Sequence, residues 1–275
     1  MSVIVNTAYL IDVKKHENDN IKGFYNKSLF IISRHTENLV RAWKAGSLYD
    51  ERMRALGITI CIDFSSGDKE GIKRSILKVC EKNGIKIIAE GETCGLFEHE
   101  SDSGGVVVYD GASTRFVYSF NEAFSNKHID ENTNAAVLLS YNINEAFLKY
   151  IADKMKYITV YSPDSAALKK ADKVFYDHNS TAVVCTQNIG IIREQPCVIV
   201  LDENVYLRLR GILKAKIIIG AHQCEMPRSL MFTDKLGTIE VDASFEEAML
   251  CNRLKKAPEE SLNEISEMIN TRFCF

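Results

Sequence analysis

Hydrophobic and polar positions repeat most regularly in the second half of the chain. From residue 135 onward, short β-branched and aliphatic runs end in polar turns, and stretches with apolar residues at helical spacing follow several of these turns. We predict strands at residues 135–139, 157–161, 173–176, 181–185, 197–201 and 216–219, with helices at 144–156, 165–170 and 203–213. This alternation is typical of an α/β fold with a Rossmann-like, mainly parallel sheet.

The pattern of the first half predicts a smaller α/β region. Buried-type strands at residues 58–64 and 84–89 enclose an amphipathic helix at 68–82, which makes a β-α-β unit with parallel strands. The other predicted elements are a strand at 3–10, two leading helices within 29–56, an exposed loop at 91–105, and a hairpin of strands 106–109 and 115–120.

The polar segment at residues 125–134 marks the predicted boundary between two domains. Residues 1–131 form the N-terminal α/β region with its leading helices, and residues 132–275 form the Rossmann-like domain. That domain is predicted to end in helices at 245–256 and 259–269, the second of which follows a proline that suits a helix start.

Composition narrows the class of protein and its partners. With 275 residues, of which 46% are hydrophobic, the chain can bury a sizeable core. The formal net charge of −3 gives no broad basic field, so we predict no direct nucleic-acid partner and no membrane partner. The eight cysteines lie far apart, several of them in apolar runs, which is typical of reduced core thiols. With no secretory signal and no apolar run of about 18 residues, the sequence predicts a cytoplasmic protein.

Several well-defined catalytic motifs are missing from the sequence. The turn at residues 140–144 has no glycine, although a dinucleotide-binding turn needs glycines so that its backbone can approach a pyrophosphate. Asn144 is instead predicted to cap the following helix. The chain also lacks the nucleophile elbow of α/β hydrolases and the phosphate-binding loop of nucleoside triphosphatases. We therefore predict no cofactor.

Candidate metal ligands occur only in weak patterns. Glu90, followed by glycine, is similar to the strand end of topoisomerase-primase domains, but no later Asp-x-Asp pair accompanies it, so we predict a solvated loop residue. Cys94 and His99, together with His222 and Cys224, lack the close Cys-x2-Cys spacing that identifies zinc sites. The sequence therefore predicts no metal site.

The strand at residues 216–219 is the strongest candidate for a functional strand end. It delivers Gly220, Ala221 and His222 to its carboxyl end, where open α/β sheets bind their ligands. The small residues would leave room for a ligand, and a later Gly-Thr pair offers backbone N–H groups and a hydroxyl that suit an anion. The predicted ligand-binding residues are Asn142, His222, Lys235, Gly237 and Thr238.

The order of these segments resembles one superfamily. It unites methylthioribose-1-phosphate isomerase, ribose-1,5-bisphosphate isomerase and the alpha, beta and delta regulatory subunits of the guanine-nucleotide exchange factor for eukaryotic translation initiation factor two. The resemblance covers roughly residues 133–240 and depends on short motifs, chiefly residues 136–142, the strand ending at His222, and residues 235–238.

The resemblance implies a chain without isomerase activity. In the isomerases a cysteine follows the first strand of the domain and an aspartate follows the Gly-Ala pair, where this chain has Ser140-Tyr141-Asn142 and His222. Since an aldose–ketose isomerase needs an acid/base pair near the sugar, we predict no catalytic residues. The implied function is that of a regulatory subunit in translation initiation and protein biosynthesis, with other subunits and translation initiation factor two as partners.

Two alternatives from other classes stay open. One is a small-molecule enzyme or binding protein for a phosphosugar or nucleotide, the ligand held at the strand ends by Asp63, Asn142, Asp164, Gln187, Asp202 and His222. The other is a degenerate Rossmann-like scaffold protein. Binding of a phosphorylated ligand by the isolated chain would favour the first, and co-purification with unrelated proteins would favour the second.

Overall fold

The computed structural model of the chain describes residues 5–12, 29–34, 56–62, 69–90, 96–97, 102–103, 105–141, 144–177, 181–227, 229–233 and 237–275. The chain divides into a first unit of residues 1–112 and 226–256 and a second unit of residues 113–225 and 257–275. The sequence predicts a boundary after residue 131, whereas the contacts in the structure group residues 113–131 with the second unit.

The described residues form strands and helices along the whole chain. The strands are β1 Val5–Asp12, β2 Leu29–Arg34, β3 Leu56–Ile62, β4 Ile87–Glu90, β5 Asp102–Ser103, β6 Val106–Tyr109, β7 Ala135–Leu138, β8 Tyr157–Tyr161, β9 Ala182–Thr186, β10 Cys197–Val200, β11 Ile217–Gly220, β12 Ser229–Thr233 and β13 Gly237–Val241. The helices are α1 Lys69–Asn83, α2 Ala112–Ser125, α3 Glu145–Ala152, α4 Ser165–Tyr176, α5 Ile189–Ile192, α6 Glu203–Leu209, α7 Ala243–Leu254 and α8 Leu262–Phe273, with a 3-10 turn at Glu259–Ser261.

The first unit contains a mixed sheet in the order β2-β3-β1-β4-β6-β5. The four inner strands are parallel, while β2 and β5 pair antiparallel at the two edges. Helix α1 buries Ile72, Ile76 and Cys80 at a spacing of four residues, which is one face of a helix, against Leu10 and Ile88 of the sheet. The predicted helix between two parallel strands is confirmed, although β1 lies between β3 and β4.

Two predictions for the first half are wrong. Residues 29–34 form a strand that pairs with β3, rather than the start of a helix, because their continuous apolar run suits a sheet. The rest of the predicted helical segment, residues 35–55, lies outside the described residues. The loop predicted to be exposed at 91–105 contains buried Leu96 and Phe97, which pack into the core of the first unit.

The predicted hairpin after residue 106 is also wrong. Strand β6 is present, but residues 112–125 form helix α2, at whose start the Asp110 carboxylate accepts a hydrogen bond from the Ala112 N–H (2.8 Å). Phe116 and Phe120 are buried at helical spacing, and both rings lie against Tyr150. This long-range packing outweighs the strand propensity of the segment.

The second unit contains a fully parallel sheet in the order β11-β10-β7-β8-β9. Every residue of β7 and β10 is buried, as expected for central strands covered by helices on both faces. The prediction of an α/β, Rossmann-like fold with a mainly parallel sheet is confirmed. One local prediction is wrong: residues 173–176 are not a strand but continue α4 with buried Val174 and Phe175.

The described part of the chain contains no helix that is both long enough and apolar enough to cross a bilayer. The described cysteines are free thiols, and Cys80, Cys197 and Cys251 are buried. Burial raises the pKa of Cys80 to about 11 and that of Cys197 to about 12. These thiols therefore stay protonated at neutral pH, which fits a packing role and not that of a nucleophile.

Candidate ligand-binding site

The strand order of the second unit reverses between β7 and β10. From β7 the chain passes through α3 to β8 on one side, whereas from β10 it passes through α6 to β11 on the other side. Right-handed crossovers then place α3 and α6 on opposite faces of the sheet. The carboxyl ends of β7 and β10 are the topological switch point, where open α/β sheets form a ligand-binding crevice.

Backbone hydrogen bonds hold the turns at this point. The Leu138 carbonyl accepts from the N–H groups of Leu201 (3.0 Å) and Asp202 (3.2 Å), which connects the end of β7 to the turn after β10. The Leu139 N–H donates to the Tyr161 carbonyl of β8 (3.1 Å). These bonds therefore hold the turns after β7 and β10 in fixed positions relative to the sheet.

Tyr141 is a highly exposed aromatic residue at this edge. It lies in the turn after β7, and 72% of the residue is accessible to solvent. The site residues predicted from the sequence do not include Tyr141, although its position directly after the first strand of the second unit is a signal that the sequence contains. An aromatic ring exposed at a switch point offers a flat apolar surface to a ligand.

The Asx residues at the strand ends hold the chain's own helices. Asn144 caps α3, as predicted, and its side-chain oxygen accepts from the Ala146 N–H (3.1 Å). Asp164 caps α4 through the Ala166 N–H (2.9 Å), and Asp202 caps α6 through the Val205 N–H (2.9 Å). Asp164 and Asp202 belong to the predicted small-molecule site, yet both have a structural role in these caps.

The turn after β11 is fixed on both sides. The Arg115 Nε–H donates to the Ala221 carbonyl (3.1 Å), and the Gln223 side-chain amide donates to both oxygens of Glu203 (3.1 and 3.0 Å). His222 lies between these contacts with an exposed side chain. Gln187 likewise donates to the Pro163 carbonyl (2.8 Å), which connects two neighbouring turns.

Gly220 has a packing role that differs from the predicted one. A Cβ at this position would lie 3.0 Å from Val200 Cβ and 3.2 Å from the Val200 carbonyl oxygen. The space beside Gly220 is therefore filled by β10, and the prediction that this glycine leaves room for a ligand is wrong.

The other predicted ligand-binding residues lie elsewhere or are not described. Gly237 and Thr238 begin β13 in the first unit, where they pair with Thr233 and Phe232 of β12, whereas His222 belongs to the second unit. Asn142, Lys235 and Asp63 lie outside the described residues.

Glu90 is buried, so its prediction as a solvated loop residue is wrong. It ends β4 with 5% exposure, and its carboxylate accepts from the N–H groups of Leu96 and Phe97, the latter at 3.0 Å from both oxygens. Across the described ranges, no group of three or more His, Cys, Asp or Glu side chains could hold a metal ion. Cys94 and His99, whose spacing is the weak zinc pattern of the sequence, lie outside those ranges.

No protein-family model matches the chain, and no curated protein matches it. Several solved structures are similar to it. L-tryptophan dehydrogenase from Nostoc punctiforme is 13% identical with a TM-score of 0.39, over 98% of this chain and 82% of that one. Quinate dehydrogenase from Corynebacterium glutamicum, in complex with NAD, is 8% identical with a TM-score of 0.36, over 98% and 99%. Shikimate 5-dehydrogenase from Listeria monocytogenes, in complex with shikimate and NAD, is 10% identical with a TM-score of 0.34, over 96% and 97%. At these values the likenesses say nothing about the activity of this chain.

The resemblance to the exchange-factor and isomerase superfamily is wrong. No family model of that superfamily matches the chain, and the solved structures just named are of dehydrogenases. The topology also departs from the resemblance, because the residues of the predicted Gly-Thr turn form a strand in a different unit from His222. The prediction of a regulatory subunit in translation initiation is therefore wrong as well, and so are the predicted partner subunits and translation initiation factor two.

A Rossmann-like sheet implies a dinucleotide such as NAD, but the residues of the switch point do not fit one. Residues 139–144 contain no glycine in the sequence, and glycines are what allow a pyrophosphate to approach the backbone of such a turn closely. The N-terminal N–H of Ala146 in α3 is already taken by Asn144, and Glu145 adds a carboxylate to the first turn. The cap and the carboxylate both disfavour binding of an anion at the N-terminus of α3, which is where dinucleotide-binding folds bind the pyrophosphate.

Proposed function

We propose that the second unit binds a small organic molecule in the crevice between the β7–α3 turn and the β10–α6 turn. The observation that carries this proposal is the reversal of strand order at β7 and β10 in a fully parallel sheet. Parallel α/β sheets bind their ligands at this point because the two following helices diverge to opposite faces.

The exposure of Tyr141 supports the same location. A ring that is 72% accessible presents apolar area whose removal from water is favourable by roughly 25 cal/mol per Å². A ligand with a flat ring would cover this side chain, with His222 and Ser140 available at the same edge of the sheet for polar contacts.

The state of the acidic groups supports binding, as distinct from catalysis, as the proposed role. Asp164 and Asp202 are engaged in helix caps, and Glu203 accepts two hydrogen bonds from Gln223. A general base must be within hydrogen-bond reach of the proton that it removes, and these carboxylates hold the protein's own donors.

Amide chemical shifts test the proposal on the full chain. The 15N-labelled protein is titrated with adenosine, NAD, shikimate and ribose 5-phosphate as chemically diverse probes. We expect at least one probe to shift the amide signals of Ser140, Tyr141 and residues 201–204, with no matching shifts at the amino ends of the same strands. Shifts confined to the amino ends, or none from any probe, would contradict the proposal.

Two exposed tyrosines provide a matched pair of variants. Tyr141→Ala removes the ring at the carboxyl edge, whereas Tyr176→Ala removes one that is 82% exposed at the end of α4, near the opposite edge. We expect Tyr141→Ala to weaken binding about tenfold, since an aromatic contact contributes about 1 to 1.5 kcal/mol. Tyr176→Ala should bind like the unmodified protein, and equal losses in both variants would contradict the proposed location.

A further inference from the structure

We infer that the crevice at the switch point selects ligands without a phosphate group, so that its ligand is an uncharged or cationic molecule. The inference rests on the proposed function and names the class of ligand that this site takes. The inferred ligand differs from the phosphosugar or nucleotide considered from the sequence for a small-molecule site. A Rossmann-like fold commonly binds phosphates, whereas the residues at this switch point do not suit a phosphate.

The first step concerns the N-terminal N–H donors of the helices. Phosphates bind at helix N-termini because the first N–H groups there lack partners within the helix. In the second unit, Asn144, Asp164, Asn188 and Asp202 each accept one of these N–H groups, at 2.9 to 3.1 Å. Every helix that directly follows a described strand of this sheet thus carries its own acceptor.

The second step concerns charge. The turns that follow the strands of the second unit span residues 139–145, 162–165, 187–189, 201–204 and 221–225. They contain no lysine and no arginine, and their carboxylates are Glu145, Asp164, Asp202, Glu203 and Glu225. Six basic residues of this unit lie before its strands, at Lys154, Lys156, Arg193, Arg210, Lys214 and Lys216, and three of them are in ion pairs with Glu131 or Glu194. A phosphate at the carboxyl edge would therefore find no lysine or arginine in these turns.

The third step concerns Arg115, whose guanidinium lies against the turn after β11. Its Nε–H donates to the Ala221 carbonyl at 3.1 Å, and the residue is only 8% exposed. This cation is directed at the backbone and has little surface to offer a ligand. Among the charged side chains of the turns at this edge, all are carboxylates apart from the titratable His222, which disfavours a phosphate dianion and favours an uncharged or cationic ligand above the aromatic ring.

Matched pairs of probes test the inference, because the members of each pair differ only in a phosphate. The pairs are adenosine with AMP, ribose with ribose 5-phosphate, and choline with phosphocholine, each titrated into the full chain by NMR. We expect the member without phosphate to bind about tenfold more tightly in the pairs that bind. The ratio should shrink in high salt, since the screening length falls from about 10 Å at 0.1 M to about 3 Å at 1 M.

A neutralised variant adds a second measurement. Glu145→Gln, Asp202→Asn and Glu203→Gln together remove three charges, while asparagine at 202 keeps a cap acceptor. We expect this variant to bind the phosphorylated probes several-fold more tightly than the unmodified protein does. Glu194→Gln, a neutralisation at the opposite edge, is the control and should change neither member of a pair.

The outcomes separate the two proposals. If phosphorylated probes bind as tightly as their partners, or more so, and still shift the Tyr141 amide, the inference is overturned while the proposed function stands. If none of the six probes shifts that amide, and neither NAD nor shikimate shifts it, the proposed function is overturned and the inference is overturned with it. A preference for the unphosphorylated members that the neutralised variant reduces supports both.

Discussion

The two units differ at the carboxyl ends of their parallel strands. In the described part of the first unit this edge is filled: Glu90 ends β4 with 5% exposure, and the start of α7 lies directly against Gly111 after β6. In the second unit the corresponding edge is open, with Tyr141 72% accessible and His222 exposed. Both edges carry acids: Glu90 of the first unit is buried, whereas Asp110 of the first unit and Asp164 and Asp202 of the second unit are at least partly exposed.

A carboxylate at the end of a strand has a different role in each unit. The buried Glu90 carboxylate accepts hydrogen bonds from the backbone N–H groups of Leu96 and Phe97. Removing this carboxylate would leave those N–H groups buried without an acceptor and without water to replace it. Asp164 and Asp202 hold helix N-termini that solvent can also reach. An edge of the first kind is part of the core, whereas an edge of the second kind is accessible to a ligand. Substitutions should therefore have unequal costs in the two units.

The largest effect is expected for Gly111→Ala in the first unit. Gly111 has a φ of +79°, and a Cβ there would lie 2.4 Å from the Ser244 backbone nitrogen and 2.7 Å from the Ala243 carbonyl carbon. Neither backbone atom can move without shifting the start of α7. We expect a loss of about 3 kcal/mol or more in the free energy of unfolding, from overpacking and left-handed strain together.

Gly84→Ala is the matched control for that measurement. Gly84 has a φ of +68° with nothing within 4 Å of a Cβ, so only the conformational strain of about 1 kcal/mol applies. Urea unfolding followed by circular dichroism, with hydrogen exchange to assign the loss to the first unit, measures both variants. Equal losses would mean that the start of α7 does not fill this edge as described.

Glu90→Ala should have the next largest effect. The buried carboxylate accepts hydrogen bonds from Leu96 and Phe97, and its removal leaves both N–H groups unsatisfied. We expect a loss of about 2 to 4 kcal/mol in the free energy of unfolding. Glu90→Gln keeps one acceptor oxygen and should lose less. Glu81→Ala, on the exposed side of α1, should change the free energy of unfolding by less than about 0.5 kcal/mol. If Glu81→Ala were as destabilising as Glu90→Ala, the buried hydrogen bonds of Glu90 would not explain its effect.

The comparison also indicates how far sequence patterns can predict this molecule. The central strands β7 and β10 are continuous runs of small and β-branched apolar residues, which predict buried parallel strands whatever their neighbours are. The strand predicted at residues 115–120 is wrong, although the valine, tyrosine and phenylalanine of this segment favour a strand locally. The packing of Phe116 and Phe120 against Tyr150, about 30 residues away in sequence, decides for a helix.

The candidate site depends more strongly on long-range structure. Alternating strands and helices predict a parallel sheet but not the order of its strands, and the switch point exists only because β7 pairs with both β8 and β10. Asp164 and Asp202 fit two hypotheses in the sequence, since a ligand-binding acid and a helix cap both follow a strand. Only the hydrogen bonds from the Ala166 and Val205 N–H groups, which the structure shows, distinguish the two hypotheses.

Gly220→Ala tests packing in the second unit and should have an intermediate effect. A Cβ at Gly220 would lie 3.0 Å from Val200 Cβ, so β10 and β11 must separate by a few tenths of an ångström. We expect a loss of about 1 to 2 kcal/mol, measured by urea unfolding. Gly211→Ala, with nothing within 4 Å, should leave stability unchanged or raise it by about 0.5 kcal/mol. If Gly220→Ala were as harmless as this control, the end of β11 would have room that the structure does not show.

The smallest effect is expected at the open edge itself, for Asp164. Asp164→Ala removes the acceptor for the Ala166 N–H and should cost about 1 kcal/mol, whereas Asp164→Asn keeps an acceptor and should cost only a few tenths. Hydrogen exchange of the first amides of α4 measures both variants locally. Because this cap lies near solvent, water can replace part of the lost bond, so the cost should stay well below that of Glu90→Ala. A loss from Asp164→Ala as large as the one at Glu90 would mean that the second unit's edge is closed as well, and a ligand could not reach it.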